Sequence, residues 1–259
     1  MVLHLLHQMS DLEILILTVA VVTCLTMAAP HIGRYVLRLP ENNDRDDAAF
    51  EGFKAVMSMT GVVLAFSLVQ ANNNLREVDG VVSKEATTIA LTDRALLRFG
   101  KPEAAAVRPL LAAYGGAVVD EWPLLALQQR SEAVDAAYNA LSKAARAVAP
   151  DDSRQTSMYN ELLKSLDDLS DLREQVLADS DYGLPRFFWI TTACLLGLGV
   201  VLAAATSSTL SRTVGVGAPA GAVALLLAFA IIVDLPFEGE TSVSPRPIQN
   251  ALMANAHRT

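Results

Sequence analysis

Four long stretches of the sequence contain no charged residue, and they constrain the fold more than any other feature. They are residues 14–33, 55–75, 187–211 and 213–233. Twenty helical residues extend about 30 Å, the thickness of the hydrocarbon core of a bilayer. A charge at the centre of such a helix costs ~2.5–3.5 kcal/mol on insertion scales. The absence of charge therefore predicts four membrane-spanning helices.

The third and fourth stretches are separated only by Arg212. One helix covering both would be roughly 70 Å long, which is far too long for a single crossing. The chain must therefore turn near residues 207–212 and form a hairpin of two spans. We expect the four spans at about residues 12–36, 53–73, 186–208 and 213–234.

The region between the second and third spans also has a helical pattern. No proline interrupts residues 55–100, which predicts one long helix that leaves the membrane and ends near Phe99. Further along, apolar residues recur at three- and four-residue spacing, and no run alternates as a strand would. The sequence predicts an all-α integral membrane protein with four transmembrane helices in a two-plus-two arrangement. Its parts are a first transmembrane pair in 1–71, an extramembrane helical domain in 72–185, a transmembrane hairpin in 186–235 and a tail in 236–259.

Composition and motifs argue against several classes of function. The chain has a net charge of −8 and no basic stripe, so we expect no nucleic-acid partner. It contains no nucleophile elbow, P-loop or HExxH-type motif, and its four scattered histidines form no metal pattern. Both cysteines, Cys24 and Cys194, lie inside spans, where cysteine behaves as a small hydrophobe. We expect no enzyme, no cofactor and no metal site.

The second span carries polar residues along one helix face. The residues at three- and four-residue spacing are Thr60, Leu64, Ser67, Ala71 and Asn74. Polar residues inside a span face other protein or water rather than lipid. One interpretation is close helix packing with cross-helix hydrogen bonds. The other is a pore between several subunits, with Leu64 as its apolar constriction.

An arginine, Arg173, interrupts the apolar row of a predicted helix that includes Leu166 and Val176. A buried arginine needs a carboxylate partner, because its burial alone is strongly unfavourable. Glu85, Glu121 and Asp120 are the candidates. We predict a structural ion pair of Arg173 with Glu85 or Glu121.

Three further acidic residues lie near the predicted ends of spans. Glu77 and Asp79 follow the second span and would attract cations if they face a conduction path. Asp234 ends the fourth span, where it is either an interfacial turn residue or a member of an acidic ring at a pore mouth.

Several short signatures occur in order along the chain. They are Leu64-Ala65-Phe66-Ser67, Glu85, Tyr114, Glu121-Trp122, Arg173 and Asp234-Leu235-Pro236-Phe237-Glu238-Gly239. With the two-plus-two arrangement of spans, they resemble the bestrophin-like family of bacterial membrane proteins. The resemblance implies a relation to bestrophins, which are pentameric anion channels with a cytoplasmic helical domain and a pore lined by the second span.

The resemblance implies a pentameric homo-oligomer in the bacterial inner membrane, with its helical domain in the cytoplasm and with lipid and inorganic ions as partners. Two features depart from bestrophins. Thr60, Leu64 and Ser67 occupy the stripe where bestrophins have aromatic and isoleucine residues, and the acidic calcium-binding cluster has no clear counterpart. We expect an oligomeric channel for small ions. The alternative is a non-conducting scaffold or sensor whose helical domain binds a partner or relays a signal.

Overall fold

The computed structural model describes residues 10–37, 43–127, 129–180, 183–234, 237 and 241–258. These residues contain no strand, which confirms the predicted all-α fold. In chain order, the helices are α1 (Asp11–Leu37), α2 (Asn43–Phe99), α3 (Pro102–Asp120), α4 (Trp122–Leu125), α5 (Glu132–Arg146), α6 (Ser153–Ser180), α7 (Arg186–Ala204), α8 (Leu210–Val233) and α9 (Arg246–Ala256).

Four helices, α1, α2, α7 and α8, are long and apolar enough to cross a membrane. They correspond to the four uncharged stretches, and the turn between α7 and α8 falls at residues 205–209. α2 is 57 residues long and continues to Phe99, as the absence of proline predicts. The two-plus-two order of these helices across a bilayer stays a prediction.

α2 begins earlier in the chain than the second span expected from residue 53. Its first residue is Asn43, within an acidic segment, while residues 41–42 lie outside the described part of the chain. Asp44 and Asp46 occupy the first helical turn. Acidic side chains stabilise that position because the positive end of the helix dipole lies there.

The chain divides into two compact units. The spanning unit takes its described residues from 1–73, 183–235 and 239–241, and the helical unit takes its own from 74–182, 236–238 and 242–259. α2 contributes residues to both units. The tail, predicted as a separate part of the chain, supplies Val243, Ile248 and Ala251 to the core of the helical unit.

Small residues let the helices of the spanning unit pack closely. α1 packs against α7 and α8. A Cβ added at Gly33 of α1 would overlap the carbonyl oxygen of Ala204, and one added at Gly217 of α8 would lie 2.7 Å from Cγ of Met27. Close backbone approach through glycine is a common way for membrane helices to associate.

The helical unit has a continuous apolar core. Its largest fully buried side chains include Ile89 of α2, Leu111 of α3 and Leu166 of α6. The indole Nε1 of Trp122 donates a hydrogen bond of 2.9 Å to the carbonyl oxygen of Val243, which fixes the segment before α9. This core surrounds the one buried arginine predicted from the sequence.

Candidate functional site

The polar row of α2 faces the interior of the spanning unit. Thr60 and Leu64 are completely buried and Ala71 is nearly so, whereas Ser67 and Asn74 are half-buried. The hydroxyls of Thr60 and Ser67 donate to the carbonyl oxygens of Val56 and Val63 on the same helix. Helices of the same chain therefore cover most of this row. The burial favours the packing interpretation for Thr60, Leu64 and Ala71, and the pore-lining role of the row stays a prediction.

A second row lies on the opposite side of α2 and is exposed. Met59, Val62, Phe66 and Val69 are 63%, 54%, 75% and 59% exposed, and Asn73 continues the row. The spacing alternates between three and four residues, so these side chains share one face of the helix. The chain itself leaves this face uncovered.

This outward face differs in polarity from the outward faces of the other spans. α2 exposes Ser58 within its span and Gln70 and Asn73 near its end. In the other uncharged stretches, exposed polar residues lie only near one end: His31 in 14–33, and Thr209 and Ser211 in 187–211. Because polar side chains within a span avoid lipid, the outward face of α2 is the best candidate for a surface covered by another subunit or by water.

The three predicted ion-attracting residues have different environments. Glu77 and Asp79 are exposed, as a role in attracting ions requires. Asp234 is half-buried, and its Oδ1 accepts a hydrogen bond from the backbone N–H of Leu184. Asp234 therefore holds the segment before α7 by a hydrogen bond to its backbone, as expected of an interfacial turn residue. The ion-attracting role of all three stays a prediction.

A buried polar cluster occupies the core of the helical unit. We call Glu85, Tyr114, Glu121 and Arg173 the Glu85 cluster; these side chains are between 0% and 5% exposed. The Arg173 guanidinium forms an ion pair with the Glu121 carboxylate. The Tyr114 hydroxyl donates a 2.8 Å hydrogen bond to Oε1 of Glu85.

The two carboxylates of the cluster are compensated unequally. Glu121 pairs directly with Arg173, and its Oε1 accepts a 2.7 Å hydrogen bond from the backbone N–H of Ser131. Oε2 of both carboxylates is buried without a hydrogen bond among the described residues, but Oε2 of Glu121 lies against the Arg173 guanidinium, whereas Glu85 has only the bond that Oε1 accepts from Tyr114 and no ion pair within that part of the chain. Asp120, the third candidate partner of Arg173, is exposed and lies outside the cluster.

Burial perturbs the ionisation of this cluster. It raises the pKa of Glu85, although the hydrogen bond from Tyr114 and the positive charge of Arg173 oppose the rise. It also raises the pKa of Tyr114, and the negative charge of Glu85 adds to that rise. The pKa of Arg173 is lowered by burial, against the attraction of Glu85.

In the described part of the chain, no three His, Cys, Asp or Glu residues lie close enough together to hold a metal ion.

The sequence singled out Glu85, Glu121 and Arg173, which the structure brings close together. It missed the outward face of α2. The signal was present in the spacing of Met59, Val62 and Phe66, but an apolar row in a span looks the same whether it meets lipid or protein.

Comparison with known proteins identifies the family. A family model, the Bestrophin-like domain, matches residues 16–248, which is most of the chain. The chain belongs to the bestrophin-like family. The fold of this bestrophin-like chain is also similar to a crystal structure described as that of a membrane protein, with a TM-score of 0.56 and 11% identity over 95% of this chain and 96% of the other. No curated protein matches the sequence.

Proposed function

We propose that this bestrophin-like chain assembles into a homo-oligomer that conducts small ions along a central axis, with α2 facing that axis. The observation that carries the proposal is the polarity of the outward face of α2. It exposes polar side chains on both sides of Phe66, at Ser58 and at Asn73, whereas the polar residues exposed in the other uncharged stretches lie near one end only. A neighbouring subunit or a water-filled path would cover Ser58 and Asn73, whereas lipid would leave them poorly solvated.

An apolar ring in the same face would form the gate. Phe66 is 75% exposed in the single chain and lies between Ser58 and Asn73 along the helix. Rings of large apolar side chains close pores by excluding water from a narrow segment. This assignment moves the proposed constriction from Leu64, which the chain buries, to the opposite side of the same helix.

The selectivity follows from the acidic residues beyond the span. Glu77 and Asp79 are exposed, and the chain carries a net charge of −8. Rings of carboxylates favour cations, so we propose a cation preference. The relation to bestrophins supports five subunits, the bacterial inner membrane and a cytoplasmic helical unit.

A non-conducting scaffold or sensor is the second candidate function. The tight burial of Thr60, Leu64 and Ala71 favours it, because helices held by a packed polar row need no central pathway. Under this interpretation, the outward face of α2 would be a dry contact between subunits.

The experiment compares two phenylalanines that are both exposed in the single chain. Phe66 lies on α2, and Phe229 lies on α8 with 47% exposure. Phe66→Ser should hydrate the constriction and raise ion flux into liposomes over wild type. Phe229→Ser makes the same chemical change on a face that we assign to lipid, so it should leave the flux per oligomer unchanged.

The oligomer is measured in the same preparations by the mass of the intact complex. An oligomer with flux that Phe66→Ser increases and Phe229→Ser does not would support the channel. A stable oligomer with no flux in wild type or in Phe66→Ser would support the scaffold. A monomer, or equal effects of the two substitutions, would overturn the axis assignment of α2.

A further inference from the structure

We propose that the Glu85 cluster of the helical unit is a binding site for one exchangeable proton, held on Glu85. All groups of the site belong to the helical unit, so the proposal stands whether or not the chain conducts ions. It makes the stability of the helical unit depend on pH.

The charges of the cluster do not balance when both carboxylates are ionised. Glu85 and Glu121 would then supply two negative charges against the single positive charge of Arg173, all at 5% exposure or less. A net charge in a buried core is strongly unfavourable, and a buried carboxyl group neutralises by taking up a proton. With one proton bound, the cluster is neutral.

The contacts determine which carboxylate takes the proton. Glu121 has the ion pair with Arg173 and the hydrogen bond from the N–H of Ser131, and both contacts stabilise its ionised form. Glu85 has one hydrogen bond, from the Tyr114 hydroxyl, and feels the charge of Arg173 without forming an ion pair with it, so its ionised form is stabilised less. The proton therefore resides on Glu85, in agreement with the effect of burial on its pKa.

The groups that act on Glu85 come from three helices. Tyr114 of α3 and Arg173 of α6 both favour its ionised form. Glu121 forms the ion pair with Arg173. Tyr138 of α5 packs on Tyr114 with 5.9 Å between ring centroids. Tyr138 itself donates to the carbonyl oxygen of Leu166, so it does not compete for the proton.

A small cavity gives the proton a route to water. Its volume is about 40 Å³, and its lining includes Tyr114, Tyr138, Ser170 and Arg173 as well as the partly exposed, mutually paired charges of Arg130, Asp135 and Glu174. A space of this size has room for at least one water molecule. Because Tyr114 lines the cavity and its hydroxyl is hydrogen-bonded to Glu85, water there would give a proton a path between Glu85 and solvent without unfolding of the unit.

The sign of the pH dependence follows from the direction of the shift. The folded-state pKa of Glu85 lies above its unfolded value, so the folded state binds the proton more tightly. The proton on Glu85 stabilises the folded state fully at pH values below the pKa of this group in the unfolded chain. This contribution is lost as pH rises through the pKa of Glu85 in the folded state, because deprotonation then leaves a net negative charge in the core.

The test measures thermal unfolding of the purified full-length protein from about pH 5 to about pH 9 in wild type and in Glu85→Gln. Glutamine keeps an acceptor oxygen for Tyr114 but cannot ionise. The Tm of Glu85→Gln minus that of wild type should increase as pH rises. Glu132→Gln, at an exposed position of α5, is the control and should show no such trend. A constant difference between Glu85→Gln and wild type would overturn the proposal.

Two further measurements apply even if Glu85→Gln unfolds. Tyr114→Phe removes a hydrogen bond that favours the ionised form, so it should move the loss of stability to higher pH. Infrared difference spectra of wild type across the same range should show the carbonyl band of a protonated carboxyl group disappearing as pH rises. An unmoved transition in Tyr114→Phe, or no such band in wild type, would contradict proton binding at Glu85.

Discussion

Arg173 and Arg130 show how strongly burial changes the contribution of an ion pair. Both arginines pair with carboxylates of the helical unit. Arg173 is 5% exposed and pairs with Glu121, whereas the side chain of Arg130 is 51% exposed and pairs with Asp135 and Glu174. Water screens the second set of charges and not the first.

We predict that Arg173→Ala is far more destabilising than Arg130→Ala. Removing Arg173 leaves Glu121 buried without its counter-charge, which typically costs ~3–5 kcal/mol. Removing Arg130 costs ~0–1 kcal/mol, because its partners are solvated. The Tm values of the two purified variants give the comparison, and similar Tm values would mean that Arg173 is solvated in solution.

The sequence predicted that Arg173 needs a carboxylate, because it lies on the same helix face as Leu166 and Val176. It could not choose between Glu85 and Glu121, since that depends on how α2, α3 and α6 are arranged in space. The sequence also indicated no role for Tyr114 beyond its place among the family signatures. Its hydroxyl is identified as a hydrogen-bond donor to Glu85 only by the arrangement of the helices in space.

At the scale of elements, α2 shows what helical periodicity can and cannot predict. Its continuity to Phe99 was predictable, because no proline breaks the stretch. The polarity of Thr60 and Ser67 also predicted that their face of the helix is protected from lipid. Periodicity could not tell whether the same chain or another subunit covers that face, and the structure shows that helices of the same chain bury Thr60 and Leu64.

Helix packing in the spanning unit gives a prediction about glycine. Gly33 lies against the backbone of Ala204, whereas a Cβ added at Gly61 of α2 would have no neighbour within 4 Å. Gly33→Ala should push α1 away from α7 and destabilise by ~1–3 kcal/mol, the range for overpacking. Gly61→Ala should be neutral or stabilise by up to ~1 kcal/mol, because alanine is the better helix former.

Thermal unfolding of the two variants, in the same detergent, measures the difference. An equal effect of Gly33→Ala and Gly61→Ala would show that α1 and α7 do not approach each other closely. A loss of oligomer in Gly61→Ala alone would instead place Gly61 at a contact between subunits.

At the scale of the whole molecule, the spans were the most predictable feature. The energetic cost of a charge in hydrocarbon acts on every residue of a span, so the uncharged stretches mark α1, α2, α7 and α8 directly. The orientation of the chain across the membrane could not be predicted from the sequence, because lysines and arginines near the predicted membrane surfaces are nearly balanced between the two sides. The cytoplasmic location of the helical unit therefore rests on the relation to bestrophins.

Cysteine labelling tests this orientation. The background lacks Cys24 and Cys194, both of which are exposed in the single chain. Asn43→Cys, at the start of α2, and Glu132→Cys, at the start of α5, then place single thiols at two exposed positions. We predict that a membrane-impermeant reagent outside intact cells labels Asn43→Cys alone, and that both react after permeabilisation. Labelling of Glu132→Cys alone would invert the orientation. Labelling of both from outside would mean that α2 does not separate them across the bilayer, which would contradict its assignment as a span.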